Sequence, residues 1–423
     1  LTTVSSSPDP TPIQPSPAAA HGGGGGHRAR WIVAVLALVA AVGIVVLTRG
    51  SGSHAAAALG PNPAVRIADG QLVTRAGRPV RLLGVDVTGT ESACIAGRQV
   101  AGATFDDAEA KAIRSWHIDA VRVPLNEDCW LGINGVTAQL SAAAYRTLIE
   151  RWVQALHRAG IVTILDLHWA APGGYVADRE WPMADADHSP AFWSQVATTF
   201  ASSPGVVFDL YNEPTLGDPS PTSVSWGCWL RGCDTTASFS ANGVPTSVRY
   251  RTAGMQQLLD AVRAAGARQP VLIAGLNYAN DPCTQWAGGI VGSRCTALAT
   301  LPTDPDHQLG LSFHVYNWTA CRTSACWGSI HHLTTAAQLP LVTTEFGEDD
   351  CRNDFMRAYT SWADGNGVSY LAWTWTVNLH RVCVSGFAGQ GADLSLLQNW
   401  SGTPSRVSPE AAPLRAHLAA ELR

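Results

Sequence analysis

Eight short apolar runs recur along this chain with amphipathic stretches between them, and that alternation limits the folds open to it. The runs are Arg81 to Val87, Ile118 to Pro124, Ile161 to His168, Val206 to Asn212, Pro270 to Asn277, Leu309 to Tyr316, Pro340 to Glu345 and Val368 to Trp375. Between them, Ala142 to Ala159, Val248 to Ala265 and Asp354 to Asp364 carry apolar residues at i, i+3 and i+4, the period of a helix. Strand and helix in alternation imply a parallel sheet. Eight repeats fit a closed (β/α)8 TIM barrel, an α/β fold. An open doubly wound sheet would show a Gly-rich phosphate turn after its first strand, and no G-x-G-x-x-G occurs. A leading β-hairpin, Val65 to Pro79 with Asp69-Gly70 at its turn, is expected to plug the barrel bottom.

The barrel is expected to fill residues 65–423. Ahead of it, residues 1–30 are rich in Pro, Ser and Gly and read as a disordered tail. Residues 31–47 form an uncharged apolar stretch of seventeen residues, the lower end of what spans a bilayer as one transmembrane helix. Arg28 and Arg30 precede it and only Arg49 follows closely, which places the N-terminus in the cytoplasm and the barrel outside. Ala55 to Ala58 offers a cleavage site, so release as a secreted protein is the alternative to a single-pass anchor. Residues 48–64 read as a linker.

The ten cysteines all lie beyond position 90. Cys228 with Cys233, Cys283 with Cys295 and Cys321 with Cys326 are near neighbours, and Cys94 with Cys129 and Cys351 with Cys383 would complete the set. An even set in one region fits disulfides made in an oxidising compartment, whereas the close C-x2-C knuckles of structural zinc sites are missing. A net charge of −5 gives no electrostatic footprint for nucleic acid. The single lysine, Lys111, follows Ala110, so there is no phosphate-cradling P-loop.

In a barrel the active site lies at the C-terminal ends of the strands. Here the second run ends Arg122-Val123-Pro124, the third Asp166-Leu167-His168-Trp169 and the fourth Tyr211-Asn212-Glu213-Pro214. The sixth ends Phe313-His314-Val315-Tyr316, the seventh Thr344-Glu345-Phe346-Gly347 and the eighth Ala372-Trp373-Thr374-Trp375. Glu213 and Glu345 thus converge over the mouth from two strands. A facing carboxylate pair is the minimal equipment for glycoside hydrolysis.

Tyr-Asn-Glu-Pro on the fourth strand and Thr-Glu-Phe-Gly on the seventh, within the order Arg, His, Asn-Glu, His-x-Tyr, Glu, Trp, resemble glycoside hydrolase family 5 over nearly all of the chain after residue 65. The resemblance implies a retaining enzyme acting on β-linked polysaccharides such as cellulose or mannan; no metal or organic cofactor is called for, because two carboxylates and a water suffice. It implies that Glu213 is the acid/base and Glu345 the nucleophile. Arg122 and Tyr316 would hydrogen-bond the nucleophile, Asn212 would bind the sugar 2-hydroxyl, and His168 and His314 would line the −1 subsite. Trp373 or Trp375 would be the stacking platform, with Trp375 preferred as nearer the strand end.

These roles make physical sense. A nucleophilic carboxylate must stay ionised, which a guanidinium and a phenol donor favour. The acid must hold its proton near neutrality, which desolvation and a neighbouring negative charge favour. Each residue also has a plainer reading: Arg122 as a rim ion pair, His168 and His314 as core histidines, Glu348, Asp349 and Asp350 as a solvated loop. Glu127 and Asp128, in the second loop, are candidates for an added sugar contact.

Tryptophan outnumbers the other aromatics, 16 Trp against 9 Phe and 8 Tyr. Trp130, Trp169, Trp181, Trp226, Trp229, Trp286, Trp318 and Trp327 fall in expected rim loops, where two or three are expected to stack on sugars. Trp116, Trp152, Trp193 and Trp362 read as packing residues. The sequence therefore points to a monomeric endo-β-1,4-glucanase on a β-linked polysaccharide, with a β-mannanase or β-1,3-glucan hydrolase as the near alternative. A non-catalytic carbohydrate-binding barrel is the alternative of another class. A metal-dependent barrel hydrolase would need H-x-H at the first strand, which reads Val85-Asp86-Val87.

Overall fold

Each expected apolar run contributes a strand, and all eight are parallel neighbours in one closed barrel: Leu83–Val87, Ala120–Asn126, Val162–Trp169, Val206–Asp209, Val271–Ala274, Leu309–Tyr316, Leu341–Gly347 and Ser369–Trp375. The last strand pairs with the first, Tyr370 beside Leu83. The computed structural model describes residues 59–95, 103–135, 140–218, 220–241, 244–377 and 394–421. The expected tail 1–30 and apolar span 31–47 lie outside these residues. Among the described residues no helix is long and apolar enough to cross a membrane.

Strand alternation sorts the side chains. In the third strand Val162, Ile164, Asp166 and His168 face the barrel axis, while Leu165 and Leu167 join the core beneath the helices. The axis is therefore layered. At the bottom, Ala120, Val162, Ile164, Val207, Leu272, Val342 and Leu371 pack with Val65, Ile67 and Leu72 of the leading hairpin. That hairpin pairs Val65–Ala68 with Gln71–Thr74, and Asp69 and Gly70 both take positive φ at its two-residue turn. The side chain of Gln308 bonds both the N–H and the carbonyl of Ile67 and so fastens the plug to the barrel. Leu59 is also buried in this layer and Asn62 N donates to His157 O, so the end of the expected linker packs onto the barrel.

The outer helices follow their sequence signals. Helix Ala142–Arg158 starts at the Ser141 cap and buries Tyr145, Ile149, Trp152, Val153 and Leu156 along one stripe. Helix Asp354–Asn366 ends at Gly367 in the left-handed conformation. The stretch Val248 to Ala265 departs from expectation. Its first residues close an antiparallel hairpin, Asp234–Ala241 with Val244–Arg251, and the helix is only Met255–Ala264. Val248 and Tyr250 alternate inward on that hairpin, a period-2 signal that the longer helical pattern overlaps. The hairpin packs Phe239 and Tyr250 on Trp181 in the loop after the third strand.

Four disulfides join the expected partners: Cys94–Cys129, Cys228–Cys233, Cys283–Cys295 and Cys321–Cys326. Cys351 is disulfide-bonded as well, and Cys383, its expected partner, lies outside the described residues.

Candidate active site

Above the apolar layer the barrel axis turns polar. Arg122, fully buried, is its centre. Its Nη1 donates to Glu345 Oε1 at 2.7 Å and Asp86 Oδ1 at 3.2 Å, its Nε to Asp209 Oδ2 at 3.0 Å, and its Nη2 to Asn212 Oδ1 at 2.8 Å. Nη2 also lies 3.1 Å from Asp166 Oδ2. The strand register produces this cluster, since Asp86 pairs with Arg122 across the first two strands and Asp166 with Asp209 across the next two. The sequence reading assigned no role to Asp86, Asp166 or Asp209. A charge embedded in an apolar run was the available signal, because buried charges need partners.

Glu345 is 4% exposed, held by Arg122 on one oxygen and by the Tyr316 hydroxyl at 2.7 Å on the other. Strict alternation would turn it outward, because Val342 faces the axis. Register irregularities on both sides of the seventh strand reset the pattern there, and Glu345 faces the axis while Phe346 joins the outer core. Glu213, just past the fourth strand, lies with Oε1 2.8 Å from His314 Nδ1, and that nitrogen is 3.5 Å from Glu345 Oε2. Ligand atoms of Glu213, His314 and Glu345 all fall within 4.8 Å of one another.

The two carboxylates sit in different electrostatic surroundings. Burial pushes both up from the usual carboxylate range. For Glu213 the charges of Glu180 and Glu345 add to that rise and carry it well above the ordinary value. For Glu345 the Arg122 guanidinium, His168 and the Tyr316 hydroxyl pull back. Burial, with the nearby charges of Arg122 and His168, drives His314 well below its ordinary value, so it is neutral. His168 Nδ1 lies 2.7 Å from Asp166 Oδ2, which fixes the ring and leaves Nε2 toward Glu180.

The expected platform needs correction. Trp375 is fully buried and packs edge-on against Trp116 in the core under the helices, with ring centroids 5.1 Å apart. Trp373 reaches the mouth instead and lies parallel to His168, with centroids 5.8 Å apart at 8°. The pairing of the eighth strand with the first shifts register between Ala372 and Trp375, so the two indoles do not share a face. Among the eight rim tryptophans, Trp130, Trp181, Trp226, Trp229 and Trp327 are buried, whereas Trp169, Trp286 and Trp318 reach solvent. Trp318 stacks on Tyr316 with centroids 4.4 Å apart.

Four acidic expectations also change, Asp349 among them because it is buried. Glu127 and Asp128 open a short helix, Glu127–Leu131, and are buried. Glu127 accepts from Ser189 Oγ at 2.5 Å and Asp128 from Ala177 N at 2.9 Å, so both brace the third loop. Glu348 is buried, and its Oε2 accepts from Met356 N at the start of helix Asp354–Asn366. One acid that the sequence reading passed over does face the site: Glu180 Oε1 accepts from Asn212 Nδ2 at 2.9 Å.

The architecture recurs in solved structures. A β-glucanase from Saccharophagus degradans in complex with cellotetraose is similar at 15% identity and a TM-score of 0.55, over 86% of this chain and 96% of its own. The catalytic domain of Thermobifida fusca endoglucanase Cel5A is similar at 16% identity and a TM-score of 0.53, over 84% of this chain and 97% of its own. At these identities the likeness is one of fold. No curated protein matches the chain. The family model described as cellulase (glycosyl hydrolase family 5) matches residues 74–379, a span that contains every carboxylate around Arg122, and the chain belongs to that family.

Proposed function

We propose that this glycoside hydrolase is a retaining endo-β-glycanase that cleaves β-1,4-glucan by double displacement. The observation that carries the reading is the closeness of Glu213 and Glu345, whose ligand atoms fall within 4.8 Å. Retention needs carboxyls about 5–5.5 Å apart, while inversion leaves about 6.5–9.5 Å for a water. In the first step Glu345 attacks the anomeric carbon as the glycosidic bond breaks, and Glu213 gives its proton to the leaving oxygen. In the second, Glu213 takes a proton from water, the water oxygen bonds to the anomeric carbon, and the Glu345 ester bond breaks. Asn212, anchored by Arg122, would present its amide to the 2-hydroxyl, and Trp373 would carry the sugar face.

Cellotetraose in the Saccharophagus degradans β-glucanase supports a β-glucan as substrate. Action outside the cytoplasm, from a membrane anchor or after release, is part of the same proposal and draws support from the disulfides. The test is hydrolysis of carboxymethylcellulose, barley glucan, galactomannan and β-1,3-glucan beside Glu213→Gln and Glu345→Gln. Glucan cleavage lost in both variants supports the reading. Preference for galactomannan or β-1,3-glucan replaces the substrate, inversion at the first-formed anomer refutes the mechanism, and binding without cleavage restores the carbohydrate-binding alternative.

A further inference from the structure

Resting on Glu213 as the acid/base, a third carboxylate in the cleft gains a role. Glu180 lies in the loop between the third strand and helix Ser189–Phe200. Its neighbours in sequence are pinned: the Arg179 guanidinium sits over the Phe239 ring at 4.6 Å, and the Trp181 carbonyl accepts from Tyr211 OH at 2.7 Å. A side chain launched from so fixed a backbone can serve as a precise element of a site. Its carboxylate meets three members of the site together. Oε1 accepts from Asn212 Nδ2 at 2.9 Å and lies 4.0 Å from His168 Nε2, and its negative charge adds to the rise that burial imposes on Glu213. The side chain retains 34% of its accessible surface, so it borders the open cleft.

We propose that Glu180 is a positioning residue for proton donation: it orients the Asn212 amide and holds the acid proton on Glu213 until the glycosidic oxygen takes it. A negative charge beside a carboxyl favours its protonated form, and the bond to Asn212 holds the Glu180 carboxylate next to the residue that precedes Glu213. Asn212 has one carbonyl and two amide hydrogens. With Oδ1 committed to Arg122 and one hydrogen to Glu180, the second hydrogen has a single direction left. The groups facing Glu213 are Glu180 from the third loop, Arg122, His314 and Tyr316 from the second and sixth strands, Glu345 from the seventh, and Tyr278 after the fifth. Among them Glu180 and Glu345 supply the negative charge, and Glu345 has its own attraction to Arg122.

The test compares Glu180→Gln, which keeps an acceptor for Asn212 but removes the charge, with Glu180→Ala, which removes both. The Glu213 carboxyl is titrated by carbon-13 NMR in the full chain, and pH profiles of kcat/KM are measured on a β-1,4-glucan oligosaccharide. In Glu180→Gln the Glu213 midpoint falls by roughly one pH unit and the alkaline limb follows it, with KM near wild type. Glu180→Ala adds a rise in KM. An unchanged Glu213 midpoint in both variants, or an equal loss of rate at every pH, overturns the proposal. A wild-type protein that cleaves no β-glycan refutes the acid/base reading and this role with it, while NMR still reports the coupling of the two carboxyls.

Discussion

Tyr316→Phe probes the proposed nucleophile, Glu345, with little disturbance elsewhere. The change deletes one hydroxyl, which donates to Glu345 Oε2 at 2.7 Å, and leaves the ring that Trp318 stacks upon. A hydrogen bond to a charged group contributes about 1.5–3 kcal/mol. Two consequences follow in the proposed mechanism. Glu345 must be ionised to attack, so activity appears as pH rises through its pKa. Burial raises that pKa while Arg122, His168 and Tyr316 oppose the rise. Removing the hydroxyl lifts it further, and the acid limb of kcat/KM moves to higher pH by about one to two units. Glu345 also departs as a carboxylate in the second step, and the same loss of stabilisation slows that step by about 10- to 100-fold. The assay is a pair of pH profiles on a soluble β-glucan, with thermal melts to confirm equal folding. An unchanged acid limb at wild-type turnover refutes the reasoning.

Three further outcomes are expected. Trp373→Ala raises KM with little effect on melting, whereas Trp375→Ala lowers stability by about 3–5 kcal/mol in a denaturant titration; the reverse pattern would return the platform to Trp375. Asp119 is buried, accepts from Leu83 N at 2.8 Å, and is pushed by burial from 3.8 to about 7. The native state then keeps a proton that the unfolded chain has lost, so stability falls as pH rises across that window, by up to roughly 1.4 kcal/mol per unit. Asp119→Asn keeps the acceptor, and its stability measured across that range should lack this decline. Removing Cys94–Cys129, which closes a separation of 35 residues, lowers stability by about 4 kcal/mol in the loop-entropy account. A double Cys→Ala variant with wild-type denaturation would exclude that contribution.

The barrel was legible because its signal is repeated: eight apolar runs of strand length, each followed by a helical or turn-rich segment, leave few other parallel arrangements. Glu213, Arg122, His314 and Tyr316 stood out as polar residues at or near the ends of apolar runs, with their proposed roles supplied by the resemblance, whereas Glu345 reaches the axis only through the register irregularities beside it. What escaped depended on departures from regularity. The Trp373 and Trp375 pair obeys strand alternation on paper, and the register shift beside it undoes the inference. The 234–251 hairpin was hidden because its second strand abuts a helix whose apolar spacing extends backward into Val248 and Tyr250. Glu180 sits in a loop without periodicity, and only the packing of Trp181 and Arg179 directs it to the site.

The charges on the barrel axis do not balance, and that imbalance shapes the chemistry. One guanidinium faces Asp86, Asp166, Asp209 and Glu345, four carboxylates against a single positive charge. In so dry a place they cannot all be ionised at neutral pH. Burial pushes Asp86, Asp166 and Asp209 up from the usual carboxylate range while the Arg122 guanidinium opposes the rise, so the cluster as a whole favours holding protons. Glu345 takes the shortest contact to Arg122 at 2.7 Å and alone adds the Tyr316 hydroxyl, and so it is the member best equipped to hold the negative charge. Asp86, Asp166 and Asp209 surround the guanidinium and fix it in place beside Glu345. Were they all ionised, Arg122 would be overdrawn and Glu345 would take up a proton in their stead. In the proposed mechanism the charge that Glu345 carries is therefore governed by these neighbours as well as by its own two donors.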